Sequence, residues 1–396
     1  MVARPIHHRI FYAVSLMIVK VASVVWFRTR IRRNKRLEPK GGYILVSNHT
    51  SMLDPVWMGM VQSREVRFMA SAALFDAPLL ASLVRALGAF PKKKFVKDKA
   101  SVLTLVEMYE SGQVVALFPE GFRTWDGRTQ PVRPGIGRLI HGLDARVVVA
   151  RILTGHLQRP RWAKRFRFVP LIVEVDDPVT FTGLGPQEIE EEINKRIQID
   201  LEPEELGGLA FGWKMAEGLP EYLWACPACM ALEGLSVDKR DRNVVRCGSC
   251  GKAWKVDVRC HLKGVEGGAE DTRVSAAMDG IHEYYVGRPY ADPDRFALDG
   301  VVLEGSDVLV KRIGRNVEGS PVVAHGVGSL YADRLVVRGP GSEEAWTLPL
   351  DEVDVVNMEL GNRLHVRARG ELLDLAAKNE SPIKWARFLE FYRRAT

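Results

Sequence analysis

The sequence predicts an α/β domain behind an apolar N-terminal helix, followed by a small cysteine-bearing module and a β-rich C-terminal region. Three observations lead there. Short apolar runs alternate with helix-period stretches up to about residue 205. All five cysteines fall between residues 226 and 260. From about residue 301, turn residues separate runs such as GSLYADRLVV, EAWTLPL, VDVVNMEL, RLHVRAR and ELLDLAA. The chain's 396 residues suffice for two or three domains, and its net charge of +7 points to an anionic partner. The expected segments are an N-terminal membrane anchor (1–36), an α/β domain (37–205), a linker helix with the cysteine module (206–262), a linker or helical segment (263–300) and the β-rich domain with a terminal helix (301–396).

In the anchor, Ile10 to Phe27 is apolar apart from Lys20, two serines and a tyrosine. A helix of this length reaches about 27 Å, just under a hydrocarbon core. Lys20, near the middle, costs roughly 3 kcal/mol in a span, and each Leu, Ile, Phe or Val returns only about 0.3 to 0.6. A span, and a helix lying in the interface with Lys20 snorkelling, therefore both fit. The buried first helix of a soluble domain is the bland alternative. No small-residue cleavage site follows, which argues against a secretory signal peptide. Arg28, Arg30, Arg32, Arg33, Lys35 and Arg36 put the flank at the cytoplasmic face.

Next, YILVSN (43–48) is a buried strand and 55–62 a helix, with Pro55 suited to its first position. FDAPLLASLVRALGAF (75–90) has a helical apolar stripe, and SVLTLVEMYESG (101–112) is a helix ended by Gly112. QVVALF, DARVVVARIL and RFRFVPLIVEV are further strands, and 187–205 is an acidic helix or linker. Residues 206–224 are expected to be helical and GVEGGAEDT (264–272) a linker; RVSAAMDGIHEYY is a helix. Ser381 is a good N-cap and Pro382 a good first residue for the terminal helix.

The chemistry gathers in two loops after strands. NHTSMLD places His49 five residues before Asp54. A neutral imidazole takes a proton from a hydroxyl near neutral pH, best when a carboxylate fixes its tautomer. Asp54 can do that, or simply cap the helix that Pro55 begins. FPEGFRT (118–124) offers Glu120 as an acceptor, Gly121 where backbone can approach a ligand, and Arg123 as a planar fork for phosphate.

Together, in this order and spacing, the two stretches resemble the 1-acyl-glycerol-3-phosphate (lysophosphatidic acid) acyltransferase family, whose motifs are NHxxxxD and FPEGxRS; Thr124 stands where the family has Ser. The likeness runs from the anchor to about residue 175. It implies a glycerolipid-acyltransferase-like mixed sheet flanked by helices. It also implies His49 as general base, Asp54 as its orienter, and Glu120, Gly121 and Arg123 as binders of the acceptor's glycerol phosphate. The family's second motif carries an Arg; in LGAFPKKKFVKD its counterpart is Lys94, with Lys92 and Lys93 as rivals. Arg133 and Gly135 match a turn into a helix, and DARVVVARIL lacks the Pro of the fourth motif. The implied reaction moves an acyl group from acyl-CoA or acyl-carrier protein to lysophosphatidic acid, making phosphatidic acid at a membrane surface, with no catalytic cofactor. Glycerol-3-phosphate or another lysolipid is an alternative acceptor. A catalytically silent membrane scaffold, working through the C-terminal modules, is a reading of a different class. PKKKFVK fits a membrane-facing patch or a solvated lysine run.

CPAC and CGSC, Cys226/Cys229 and Cys247/Cys250, have the spacing of a zinc ribbon with four thiolates and a structural Zn2+. Cys260 and His261 are expected bystanders, and no nucleic-acid partner is expected. The β-rich tail resembles a pleckstrin-homology-like or GRAM-like barrel.

Overall fold

The strand Tyr43–Ser47 is sealed on both faces: Tyr43, Ile44, Leu45 and Val46 have no exposed surface. A continuous apolar run of this kind belongs in the middle of a parallel sheet with both sides covered. The computed structural model puts it there. It describes residues 6–33, 39–75, 78–92, 98–199, 201, 206, 209–286, 300–313, 321–341, 345–359 and 363–395. The chain divides into two units, Met1–Trp213 and Lys214–Thr396.

The first unit is built on a seven-stranded sheet. Its strands are β1 (Arg30–Arg33), β2 (Tyr43–Ser47), β3 (Val66–Ser71), β4 (Ala89–Lys92), β5 (Val114–Leu117), β6 (Val147–Ile152) and β7 (Ile172–Val175), in the order β1-β7-β6-β2-β5-β3-β4. From β6 to β4 all neighbours are parallel; β7 runs antiparallel to β6, and β1 is parallel to β7. The period of two in β2 divides the core. Tyr43 and Leu45 join Trp57, Met58, Val66 and Val114 on one face, whereas Ile44 and Val46 join Ile140, Val147, Ile189 and Ile193 on the other. Helices α1 (Ile6–Phe27) and α2 (Asp54–Met60) cover the first face; α3 (Pro78–Ala86) leads into β4. Helices α4 (Lys99–Glu110), α5 (Ile136–Gly142) and α7 (Pro186–Arg196) cover the second, and the short α6 (Gly155–Gln158) follows β6.

Helix α1 has two unlike sides. Tyr12 and Ser23 are buried, and Leu16, Val19 and Phe27 pack on the first core. The Phe27 ring meets Trp57 edge-on at 5.8 Å. Gly59 of α2 faces α1: a Cβ there would be in ordinary van der Waals contact with the Tyr12 hydroxyl (3.5 Å) and Leu16 (3.8 Å). Ile10, Met17, Ile18, Val21, Val24, Val25 and Trp26 form the other side, which is exposed.

In four places the structure departs from the sequence expectation. The helix foreseen over 75–90 ends at Ala86, and Ala89–Lys92 becomes strand β4. Gly88, at φ +95°, makes the turn; a Cβ there would sit 2.6 Å from the carbonyl oxygen of Val66. A stripe over so few residues does not separate a helical period from a strand period. The basic flank contains β1, paired through its backbone with β7 (Arg30 to Ile172, Arg33 to Val175), which an edge strand can do without apolar side chains. Within 206–224 only Leu219–Tyr222 (α8) is helical among the described residues, and Phe211 instead makes an antiparallel bridge to Phe168. The foreseen linker 264–272 is a hairpin, turned by Gly267 and Gly268 at φ +67° and +68°.

The second unit holds two antiparallel sheets. The smaller has β8 (Leu235–Val237), β9 (Val244–Cys247), β10 (Ala253–Val256), β11 (His261–Glu266) and β12 (Thr272–Arg273) in the order β12-β11-β10-β9-β8, and α9 (Val274–Tyr285) follows it. The larger has β13 (Val301–Arg312), β14 (Val322–Tyr331), β15 (Arg334–Arg338), β16 (Ala345–Pro349), β17 (Val353–Met358), β18 (Leu364–Ala368) and β19 (Glu371–Ala377) in the order β16-β15-β14-β13-β19-β18-β17. The terminal helix α10 (Pro382–Ala395) begins where the Ser381 hydroxyl accepts from the Lys384 N–H at 3.4 Å, the expected cap.

Candidate active site and cysteine centre

Strands β6, β2 and β5 are adjacent and parallel, so their C-terminal ends lie along one edge of the sheet, where open α/β sheets bind ligands. The loop after β2 carries His49 and Asp54, and the loop after β5 carries Glu120, Gly121 and Arg123.

Asp54 is the first residue of α2 and has no exposed surface. Its Oδ2 accepts from the backbone N–H of Thr50 (2.5 Å) and of Ser51 (2.7 Å) and lies 2.8 Å from His49 Nδ1; Oδ1 accepts from the Thr50 hydroxyl at 3.3 Å. An oxygen already receiving two N–H groups accepts from the imidazole as well, so Nδ1 carries the proton and Nε2 is left basic. Asp54 lies against His49 as the motif reading expects, but it does not cap α2: Leu53 holds the cap position with no side-chain cap, and the Asp54 carboxylate takes the N–H groups of the preceding loop instead. The imidazole stacks on Phe118, ring centres 4.2 Å apart, and its side chain is 19% exposed. Burial holds His49 below the usual histidine range despite Asp54, and the charges of Arg123 and Arg161 press the same way.

Glu120 is almost wholly buried and straps two loops together. One oxygen accepts from the His49 N–H at 2.5 Å and the other from the Gln130 N–H at 2.7 Å. Burial pushes its carboxyl up to about 8 against the two N–H groups, which favour the carboxylate. Gly121 takes φ +76°, and a Cβ there would lie 3.3 Å from Cγ of Arg133, whose side chain occupies that space. Arg133 N–H donates to the Pro119 carbonyl at 2.8 Å, and its guanidinium lies 4.6 Å over the Phe122 ring. Thr124 N–H donates to the His49 carbonyl at 3.0 Å, so the loop of Arg123 is joined to the loop of His49. Lys94 and its rival Lys93 lie outside the described residues; Lys92 is exposed at the end of β4.

Two further residues gain a role in three dimensions, Asn48 from within the first motif and Arg161 from outside any motif. Asn48 completes the sheet: its Nδ2 donates to the Ile152 carbonyl at 3.0 Å and its Oδ1 accepts from the Ile152 N–H at 2.8 Å. A side-chain amide thus prolongs the β2–β6 ladder by one step and fixes where the chain leaves the strand. Arg161, just after α6, donates through Nη1 to the Arg123 carbonyl at 2.9 Å. No local pattern marks it, because it stands more than a hundred residues from His49.

In the second unit Cys226, Cys229, Cys247 and Cys250 bring their sulfurs within 4.8 Å of one another, and none is in a disulfide. Separations of 3.9 Å (Cys226 to Cys250) and 3.7 Å (Cys229 to Cys247) match the edge, about 3.8 Å, of a tetrahedron with Zn–S bonds near 2.3 Å. The Ala228 N–H points at Cys226 Sγ at 3.4 Å, as outer donors to thiolates do. The donor set fits zinc. Cys260 stands outside it, and His261 Nδ1 lies 3.2 Å from Asp257.

Comparison with known proteins bears on the first unit. Residues 28–152 match the family model described as Acyltransferase. The 1-acyl-sn-glycerol-3-phosphate acyltransferase of Bacillus subtilis is 23% identical over 96 residues, 24% of this chain and 48% of that protein. The 1-acyl-sn-glycerol-3-phosphate acyltransferase alpha of Homo sapiens is 29% identical over 188 residues, 44% of this chain and 62% of that protein. The chain thus spans about half to three fifths of the length of these relatives. A solved 1-acyl-sn-glycerophosphate (LPA) acyltransferase from Thermotoga maritima aligns with a TM-score of 0.40 at 19% identity, over 50% of this chain and 82% of that one. Residues 28–152 thus form an acyltransferase-type domain, and the chain is similar in sequence to 1-acyl-sn-glycerol-3-phosphate acyltransferases.

Proposed function

We propose that this protein transfers an acyl group from a thioester, acyl-CoA or acyl-carrier protein, to the free hydroxyl of lysophosphatidic acid at a membrane surface, yielding phosphatidic acid. The observation that carries the proposal is the 2.8 Å contact between His49 Nδ1 and Asp54. A silent scaffold has no need of it. The basic Nε2 takes the proton of the acceptor hydroxyl as its oxygen attacks the thioester carbonyl. The tetrahedral adduct collapses, the C–S bond breaks, and the imidazolium returns the proton to the departing thiolate. Asp54 keeps the tautomer and supports the transient imidazolium. No protein nucleophile is required. Arg123 supplies charge for the acceptor phosphate, with Gly121 shaping the turn before it.

The two sides of α1 support a seat in one leaflet. The inward stripe binds the helix to the domain from Tyr12 to Phe27, about 22 Å of axis, and leaves the opposite stripe for lipid. Lys20 then needs only to snorkel. The basic flank favours the cytoplasmic face. In the second unit, the cysteine centre supports a structural Zn2+ held by Cys226, Cys229, Cys247 and Cys250. The seven-stranded sheet with its terminal helix supports a pleckstrin-homology-like reading of 301–396.

His49→Ala in detergent-solubilised protein is expected to lower transfer to lysophosphatidic acid at least about a hundredfold, the usual scale of general-base catalysis, while the circular dichroism spectrum remains that of the folded protein. Near-normal turnover would sink the proposal. Offering glycerol-3-phosphate and a lysophospholipid panel alongside identifies the acceptor.

A pH profile of kcat/KM tests the state of His49. Its folded value is depressed, so the neutral base persists below the usual 6.5, and activity is expected to fall only in more acidic buffer. An acid limb centred above 6.5 would contradict this.

Replacing Ile18, Val21 and Val25 together by Ser is expected to release the protein from anionic vesicles in co-sedimentation while its circular dichroism stays the same. Undiminished binding would refute the interfacial helix.

For the cysteine centre, native mass spectrometry is expected to find one zinc per chain. Chelation is expected to lower the melting temperature of the second unit, and Cys247→Ser to do the same. A metal-free protein that melts unchanged would exclude a structural role.

A further inference from the structure

Well past the residues matched to the acyltransferase family, the segment 209–213 (LAFGW) returns to the beginning of the first unit. Phe211 and Phe168 form an antiparallel bridge, each N–H donating to the other's carbonyl, at 2.8 and 3.1 Å. Their rings stack at 5.0 Å, and Trp213 stacks on Phe168 at 5.6 Å. Phe168 in turn stacks at 6.5 Å on Phe27, the last residue of α1. Arg28, the next residue, donates through Nη2 to the Leu209 carbonyl. Rings and backbone thus fasten the segment to the end of α1. Its large side chains nevertheless stay in water: Leu209 is 67% exposed, Phe211 43% and Trp213 50%. Apolar side chains gathered in one place and left exposed mark a surface that something apolar covers.

We propose that Leu209, Phe211 and Trp213 form a second lipid contact of the first unit, an aromatic shelf that enters the headgroup boundary of an anionic membrane beside the end of α1. The inference rests on the interfacial reading of α1 and extends it. Two observations select lipid as the occupant. The exposed side of α1 closes with Val24, Val25 and Trp26, in the same turn as Phe27, so the shelf adjoins the apolar surface already assigned to lipid. The three segments that build the shelf, 26–33, 161–168 and 209–213, contain no acidic residue. Arg28, Arg30, Lys164 and Arg165 are partly or fully exposed in them. Aromatic rings bordered by arginine and lysine suit the level where acyl chains meet phosphate headgroups: the rings take the boundary and the cations the anionic surface. Stacking on Phe168 orders both rings beforehand, so their insertion costs little further entropy.

The test uses the full chain with vesicles of phosphatidylcholine and phosphatidylglycerol, and needs no turnover. Leu209→Ser combined with Trp213→Ser is expected to weaken vesicle binding at least about tenfold, the effect of withholding two half-exposed apolar side chains from the bilayer. Trp213 is followed directly, as the fluorescence difference between wild type and Trp213→Phe, which keeps an aromatic ring on Phe168. Vesicles brominated near the headgroup end of their acyl chains are expected to quench that difference, and this arm carries the test should the double variant melt early. Weaker binding of the double variant, beside undiminished binding of the variant altered at Ile18, Val21 and Val25, keeps the shelf and sinks the lipid-facing helix. Loss of binding in the helix variant alone, with no quenching of Trp213, overturns the shelf and leaves the helix reading standing. A wild-type dimer in light scattering that the double variant separates, with vesicle affinity within about twofold of wild type, gives the face to a second copy and likewise overturns the proposal.

Discussion

The first unit depends on one buried carboxylate. Asp54 has no exposed surface, and such a charge is tolerated only when its lone pairs are filled. Backbone N–H groups of Thr50 and Ser51, the Thr50 hydroxyl and the His49 ring fill them. The loop is thereby wound around its own acid, and α2 starts at the residue that holds the loop closed. Folding the loop and orienting the imidazole are the same event, so the histidine is set before any substrate arrives. Such preorganisation is what general-base catalysis requires of a residue on a loop.

Around that carboxylate, three loops from three adjacent strands are tied by side chains that seize backbone groups and by one backbone-to-backbone bond. Asn48 binds the end of β2 to Ile152 at the end of β6. Glu120, behind β5, holds the amide of His49, and Thr124 holds its carbonyl. His49 is therefore gripped on three sides: ring, N–H and C=O. The unusual pKa values follow from the same enclosure. Taking His49 and Glu120 out of water disfavours their charged forms, so the imidazole falls and the carboxyl rises toward neutrality.

These ties explain what was legible in the sequence. His49, Asp54, Glu120 and Arg123 lie in two short motifs, each just past an apolar run, where local spacing and strand ends speak directly. The full mixed sheet was not legible in the same way. Strands β3 and β4 lie next to helical stretches too short to show their period, and β1, three arginines and an isoleucine, is joined to β7 by its backbone and by the Arg32–Glu174 ion pair rather than by an apolar face. Arg161 owes its position to the Arg123 carbonyl and the Trp125 ring, partners brought near only by the parallel order β6-β2-β5. Spacing along the chain carries no trace of such a contact.

The four cysteines were equally plain in the sequence, but their surroundings were not. The turn that follows Cys229 is held from outside the small sheet. Tyr285 of α9 donates its hydroxyl to the Met230 carbonyl, and the nearly buried Lys384 of α10 lies 2.9 Å from Glu233 and 2.7 Å from Glu380. Trp224, just before Cys226, packs on Tyr285 and Phe388. Ser381, the cap of α10, gives its hydroxyl to the Glu221 carbonyl. The terminal helix therefore serves two masters, closing the seven-stranded sheet and bracing the cysteine turn. A buried lysine with two acids is costly to leave half-paired, so a shift of the turn that withdraws Glu233 disturbs α10 as well. The turn beside the cysteines and the terminal helix thus share the Lys384–Glu233 pair, so the packing of one bears on the packing of the other.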